Sequence, residues 1–133
     1  MINDLEFHHI GLIVRDINDA IEHYCKLFGK ENVSEVYSLE SQKIKECFIR
    51  NGENSYIGLV SPVDKDSIIY ALMKKGITYY HIAYKVLSLK MTILKMEELN
   101  YKLISVFSSE AFKNKECAFL YTPEGAIVEL IEK

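Results

Sequence analysis

The sequence predicts an α+β protein built from two βαβββ modules that together form one domain. The chain has 133 residues, which fits one domain or two small modules sharing one core. Hydrophobic patterns occur in the order strand, helix, three strands, and this order then repeats. A module of half this length hardly buries its own sheet face, so the two modules are expected to pack together.

The first module is predicted over residues 1–62. Phe7–Val14 has the residues of a strand, and Asp16 is a good N-cap for the helical spacing of INDAIEHYCKLF. Gly29 then ends that helix. Three strands are expected to follow, near Val33–Leu39, Ile44–Arg50 and Ser55–Val60.

A hairpin turn is predicted between the last two of these strands. Asn51-Gly52 is a strong signal for such a turn because both residue types tolerate a positive φ.

Residues 63–78 are predicted to be a linker with a short helix over about 66–75, and residues 79–133 the second module. That module begins with a strand at Tyr79–Val86. Ser88 caps the helix LKMTILKMEEL, and Asn100 is suited to end it in the left-handed conformation. The remaining strands are expected at Tyr101–Phe107, Lys115–Tyr121 and Ala126–Ile131.

The two halves are weakly similar in sequence. FHHIGLIV superposes on YYHIAYKV with His9 on His81, an offset of 72 residues. ECFIRNGENSYIGLV superposes on CAFLYTPEGAIVELI with Gly58 on Glu129, an offset of 71 residues. A turn absorbs the one-residue difference, so these pairs occupy equivalent positions of the two modules.

A metal site is predicted from these equivalent positions. Glu129 stands in an apolar strand, where an unpaired carboxylate is costly and needs a compensating partner. His9 and His81, which are repeat-equivalent, supply two imidazoles, and a set of two imidazoles and one carboxylate suits Zn, Ni, Co, Fe or Mn rather than Ca. His8 and His23 are interpreted as structural residues.

Composition and charge exclude several classes of partner. The formal net charge is −3 without a basic run, which argues against nucleic acid or an anionic membrane surface as a partner. No signal peptide is evident, and no apolar run approaches the ~18 residues of a membrane span.

Cys25, Cys47 and Cys117 lack metal or redox spacing, so reduced structural thiols and a cytoplasmic location are expected.

The stretches HHIGLIVRDINDAIEHYCKLFG, YHIAYKV and TPEGAIVELIE resemble the vicinal oxygen chelate superfamily, which includes glyoxalase I, methylmalonyl-CoA epimerase, extradiol dioxygenases and antibiotic-resistance binding proteins. The segment LVSPVDKDSIIYALMKKG, running into YYHIAYKV, is most similar to the epimerase and glyoxalase branches. The resemblance implies a curved mixed sheet around a central metal and ligand cleft, and a homodimer.

The resemblance also implies roles for individual residues. His9, His81 and Glu129 would be the metal ligands, and the fourth ligand of epimerases and glyoxalases would fall on Gly58, which has no side chain to offer. The catalytic glutamate of epimerase-like members would fall on Ser41, with Glu40 beside it. The missing ligand is interpreted as an open coordination position for substrate or water.

The first functional hypothesis is a metal-dependent isomerase or lyase of the glyoxalase and epimerase kind. One divalent transition metal would chelate a small carbonyl compound or thioester, and a base would remove the proton next to the carbonyl. Glu129, Glu40 and a tyrosine of the pocket are the candidate bases.

Two alternatives remain open. One is a non-enzymatic protein of the same superfamily that binds a small molecule or antibiotic. The other, less favoured, is an extradiol-type dioxygenase, because two histidines and a carboxylate also form the iron site of such enzymes. Their catalytic tyrosine would fall near Phe119, which has no hydroxyl group.

Overall fold

The computed structural model describes residues 1–133 and contains eight strands and three α-helices, which confirms the α+β class. No helix is long and apolar enough to cross a membrane. The elements are β1 (Glu6–Ile13), α1 (Ile17–Phe28), β2 (Tyr37–Leu39), β3 (Ile44–Arg50), β4 (Tyr56–Pro62), α2 (Tyr70–Lys74), β5 (Tyr79–Val86), α3 (Leu89–Glu98), β6 (Lys102–Ser109), β7 (Lys115–Tyr121) and β8 (Ile127–Glu132).

The chain divides into two compact units. The first unit is His9–Tyr80, and the second unit combines Met1–His8 with His81–Lys133. The boundaries therefore fall inside β1 and β5. The module limits at residues 62 and 79, with a linker at 63–78, stay a prediction.

The first unit orders its strands β2-β3-β4-β1. The β2–β3 and β3–β4 pairs are antiparallel, and the β4–β1 pair is parallel. Helix α1 covers one face of these strands, where its apolar side packs on a buried cluster. The buried members of that cluster are Ile17, Cys47, Ile49 and Leu59. The residues that alternate with them along the strands, including His9 and Gly58, lie on the opposite face.

The second unit repeats this arrangement in the order β5-β8-β7-β6. The β5–β8 pair is parallel, and the β8–β7 and β7–β6 pairs are antiparallel. Helix α3 covers one face through a larger buried cluster. Its members are Val86, Leu89, Met96, Ala118, Leu120, Val128 and Leu130. The opposite face holds His81 and Glu129.

The predicted ends of the two long helices are confirmed. Asp16 Oδ1 accepts hydrogen bonds from the backbone N–H groups of Asn18 and Asp19, at 2.9 and 3.0 Å. Gly29 ends α1 with φ 92°, a conformation that favours glycine. Ser88 Oγ accepts from the N–H of Met91 at the start of α3, and Asn100 follows that helix with φ 70°.

The predicted hairpin at Asn51-Gly52 is confirmed, because β3 and β4 are antiparallel neighbours. Strands β3 and β4 are joined by a five-residue loop, in which the Asn51 N–H donates to the Ser55 carbonyl at 3.2 Å. Ser55 Oγ and Asn51 Oδ1 lie 2.9 Å apart, and the Arg50 side chain donates to the carbonyls of Gly52 and Glu53. These side-chain hydrogen bonds favour the longer loop over a two-residue turn, whose positive φ values are not adopted.

The helix predicted over 66–75 is shorter and begins at Tyr70. The preceding residues form turns instead: Asp64 Oδ1 accepts from the Asp66 N–H at 2.8 Å, and the Ser67 N–H donates to the Asp64 carbonyl. Asp and Ser side chains compete with helix formation in this way.

The first strand after α1 is also shorter than predicted and begins at Tyr37 rather than Val33. Val33 makes only an isolated bridge to Ile49. The next residue, Ser34, uses its hydroxyl oxygen to accept from the Phe48 N–H at 2.9 Å, so a side chain replaces part of the backbone ladder.

Asp16→Ala tests the cap of α1. The substitution leaves the N–H groups of Asn18 and Asp19 without their acceptor, and we expect the free energy of unfolding to fall by about 1 kcal/mol. Urea denaturation followed by circular dichroism measures the change. Asn18→Ala, which removes an exposed side chain beside the cap, should have an effect of a few tenths of a kcal/mol. Equal losses in the two variants would contradict the capping role.

Candidate metal-binding site

A buried histidine–carboxylate pair joins the parallel strands β5 and β8 of the second unit. His81 Nε2 lies 3.1 Å from Glu129 Oε1, and the two residues are only 2% and 4% exposed. The pair exists because Ala83, two residues after His81, is the register partner of Glu129 in the parallel β5–β8 pair. A carboxylate so far from water is stable only with a compensating charge or hydrogen-bond donor, and His81 lies where it can supply one.

An aromatic wall stands beside this pair. Phe119 is the register partner of Glu129 on β7, and its ring centroid lies 5.4 Å from that of His81. Phe107 continues the wall, with a centroid distance of 4.9 Å to Phe119. The rings keep water from this side of the carboxylate, which strengthens every electrostatic interaction that it makes.

His9 occupies the equivalent position in the first unit. It is fully buried on β1, and Gly11, two residues later, is the register partner of Gly58 in the parallel β1–β4 pair. Phe48 is the register partner of Gly58 on β3, and its ring meets the His9 imidazole edge-on at 5.1 Å. Both units therefore contain a buried histidine on the first strand, a parallel partner strand, and a phenylalanine on the next strand, as the sequence repeat indicates.

Gly58 is a site of close approach. A Cβ atom at this position would lie 2.9 Å from His9 Cδ2, 3.2 Å from Phe48 Cε1 and 3.4 Å from His9 Nε2. Position 58 thus faces the imidazole that it would join as a ligand, as the repeat predicts. The rings of His9 and Phe48 lie so close to position 58 that an added Cβ atom would force them to shift.

Glu46 is a buried acid that the sequence analysis did not select. It lies on β3 with 5% exposure, two residues from Phe48 and therefore on the same face as Phe48 and Gly58. Tyr37 is its register partner on β2. Burial raises the pKa of the Tyr37 hydroxyl, and the charges of Glu35 and Glu46 add to the effect. The alternation in IKECFIR, which places Glu46 between Ile44 and Phe48, is a signal that could have found it.

The remaining predicted residues lie elsewhere. Glu40 and Ser41 are exposed in the turn between β2 and β3, where the Lys43 N–H donates to the Glu40 carbonyl. The register on both sides of this turn is regular, so no bulge redirects Glu40. His8 is half-buried against the Phe112 ring at 5.3 Å, and His23 is exposed on α1 beside Tyr24.

The three cysteines are free thiols. Cys47 and Cys117 are fully buried in different clusters. Cys47 lies beneath α1, and Cys117 lies in a small cluster with Ala83 and Ile131. Burial raises the pKa of the Cys47 thiol, which keeps it protonated and poorly reactive.

Repeated βαβββ units that bury equivalent histidines, one of them paired with a carboxylate, define a protein of the vicinal oxygen chelate class. The sequence model of the Glyoxalase/Bleomycin resistance protein/Dioxygenase superfamily matches residues 8–132, and the chain belongs to this superfamily.

Relatives support the same assignment. Uncharacterized protein YqjC of Bacillus subtilis (strain 168) is 29% identical over 127 residues, which cover 93% of this chain and 89% of the relative. The crystal structure of methylmalonyl-CoA epimerase from Mycobacterium tuberculosis is similar with a TM-score of 0.83 and 25% identity, covering 96% of this chain and 87% of that one. Hypothetical protein BH1468 from Bacillus halodurans C-125 also gives 0.83, with 27% identity and coverage of 98% and 96%.

Gly58→Ala tests the close approach. The added methyl group must displace the His9 ring, and we expect the free energy of unfolding to fall by about 1–3 kcal/mol. Chemical denaturation measures the loss. In the double variant Gly58→Ala/Phe48→Leu, the smaller side chain at position 48 leaves the His9 ring room to move, and part of the lost stability should be recovered. Full stability of Gly58→Ala alone would show that the glycine is not required by packing.

Proposed function

We propose that this protein is a metal-dependent, epimerase-like enzyme that removes a proton next to the carbonyl group of a small metal-chelated substrate. Membership of the superfamily and the similarity to a methylmalonyl-CoA epimerase support this class of reaction. The observation that carries the proposal is the buried His81–Glu129 pair, because an enclosed imidazole and carboxylate at 3.1 Å are suited to share one cation.

His9 is the third proposed ligand. In the repeat it is equivalent to His81, and it lies on the strand beside position 58, which supports its assignment as a ligand of the same ion. All three residues are buried, and their donor set of two nitrogens and a carboxylate oxygen fits Zn, Ni, Co, Fe or Mn. Such an ion supplies Lewis acidity to a bound carbonyl oxygen and so favours loss of the neighbouring proton.

Glu46 is the proposed general base. Glu46 is a buried carboxylate that shares its sheet face with His9 and Gly58, which supports its assignment as the base. In the proposed step the carbon–hydrogen electron pair stays on the substrate while the proton moves to a Glu46 carboxylate oxygen. Glu129, Glu40 and a tyrosine of the pocket remain the alternatives from the sequence. Glu129 lies 3.1 Å from His81, and Glu40 is exposed.

The aromatic side chains have a separate role in the proposal. Phe48 beside His9 and Phe119 beside His81 limit the access of water to the imidazoles. A substrate that displaces water from the site then meets a low dielectric constant, where the charge formed on its oxygen is stabilised more strongly.

We also propose that the protein is a cytoplasmic homodimer, because it resembles the superfamily.

Metal content is the most direct test of the site. Plasma mass spectrometry of the untagged protein should find about one transition-metal ion per chain, and the double variant His9→Ala/His81→Ala should lose it. His8→Ala/His23→Ala removes the other two histidines and is the matched control, which should keep its metal. A wild-type chain that neither contains nor takes up Ni, Co, Zn or Fe would overturn the enzyme and favour the non-enzymatic binding protein.

Exchange of solvent deuterium into methylmalonyl-CoA tests the base. We expect Glu46→Gln to lower the exchange rate about 10²–10⁴-fold, because the amide cannot accept the proton. Its metal content should be unchanged, whereas Glu129→Gln should lower both. Glu40→Gln, an exposed carboxylate, is the control and should exchange at the wild-type rate. Wild-type exchange in Glu46→Gln together with loss in Glu40→Gln would assign the base to Glu40.

A further inference from the structure

A cleft rich in lysine opens in the second unit. Its volume is about 300 Å³, and it lies where the ends of β5, β7 and β8 meet the loop before β7. Four of its eight lining residues are lysines. The lining residues are Lys85, Ala111, Phe112, Lys113, Lys115, Ile131, Glu132 and Lys133.

The cleft lies on the same sheet face as the His81–Glu129 pair. Lys85 follows His81 by four residues on β5, and Ile131 follows Glu129 by two on β8, so alternation turns all four side chains to one face. The register agrees, since Lys85 is the partner of Ile131. At about 3.3 Å per residue, the Cα of Lys85 lies roughly 13 Å along the strand from that of His81.

The positive charge of the cleft is only partly neutralised. Lys133 Nζ contacts Glu6 Oε2 at 2.7 Å, and this lysine, with Lys85, lowers the pKa of the Glu6 carboxyl. Glu132 also lines the cleft, and its Oε1 accepts from the Leu89 N–H at the start of α3, at 3.1 Å. Four lysines therefore face two carboxylates, those of Glu6 and Glu132, and an excess of positive charge remains.

The loop that carries Lys113 has a defined backbone. Lys113 and Asn114 both have positive φ, 56° and 62°. The Lys113 N–H donates to the Glu110 carbonyl, and the Asn114 N–H donates to the Ser109 carbonyl at 2.8 Å. Phe112, in the same loop, packs against a cluster that includes Ala83 and Ile131. The lysines therefore surround an apolar surface formed by Phe112 and Ile131.

We propose that this cleft is an anion subsite that binds a phosphate group carried at the far end of the substrate, with Lys85, Lys113 and Lys115 as its principal contacts. The proposal rests on the proposed function for the position of the reacting carbonyl. Three flexible ammonium groups neutralise a phosphate as point charges. Phe112 and Ile131 provide apolar contact for the arm that leads from the phosphate towards the His81–Glu129 pair.

Calorimetric titration of the purified protein tests the subsite without any turnover. Coenzyme A is the main probe, pantetheine is the same arm without phosphates, and inorganic phosphate is the free anion. We expect coenzyme A to bind at least tenfold more tightly than either of the others. We also expect Lys85→Ala/Lys113→Ala/Lys115→Ala to weaken its binding at least tenfold, and added NaCl to weaken wild-type binding.

The matched control is Lys26→Ala/Lys90→Ala/Lys95→Ala, which removes the same charge from exposed positions on α1 and α3. It should bind coenzyme A like the wild type. Equal affinity of the two triple variants, equal affinity for pantetheine and coenzyme A, or inorganic phosphate binding that coenzyme A does not improve would overturn the subsite. Because no proton exchange is measured, such a failure leaves the proposed function standing, and an inactive enzyme that still binds coenzyme A would remove only the proposed function.

Discussion

The buried carboxylate of Glu129 is the constraint on which the second unit depends. A charge that is 4% exposed among apolar side chains has to be compensated, and the parallel β5–β8 register brings His81 to within 3.1 Å of it. The antiparallel β7–β8 register puts Phe119 beside the pair, and alternation along β8 turns Val128 and Leu130 to the other face, under α3. Strand register and alternation together therefore set the polar site on one side of these strands and the hydrophobic core on the other.

The first unit shows the same plan with the carboxylate left out. Gly58 stands where Glu129 stands in the repeat, and His9 and Phe48 correspond to His81 and Phe119. Without a side chain at position 58, the rings of His9 and Phe48 approach the backbone closely. The acidic group of this unit lies instead at Glu46 on the neighbouring strand. The two units therefore differ: one holds a buried histidine–carboxylate pair, and the other holds an aromatic contact and a separate buried carboxylate.

Local chemistry explains which secondary-structure predictions succeeded. The α1 and α3 starts were predictable because Asp16 and Ser88 act on N–H groups two or three residues away. The hairpin at Asn51-Gly52 was predictable from these two residues, whereas the length of its loop depends on side-chain hydrogen bonds of Arg50 and Ser55. The helix beginning at Tyr70 was overextended for a similar reason, since Asp64 and Ser67 hold the preceding residues in turns. A propensity scale does not include these specific bonds.

The sequence by itself determined the α+β class, the duplication and the equivalence of His9 with His81, because period-two alternation and an internal repeat are both readable along one chain. It also indicated that Glu129 needs a partner. Tertiary structure decided the rest: that His81 is a partner, that two rings lie close to Gly58, that Glu46 is buried, and that lysines of β5, β7, a loop and the C-terminal residue gather around one cleft. These features join residues far apart in sequence, so they depend on strand register and packing, which local patterns do not specify.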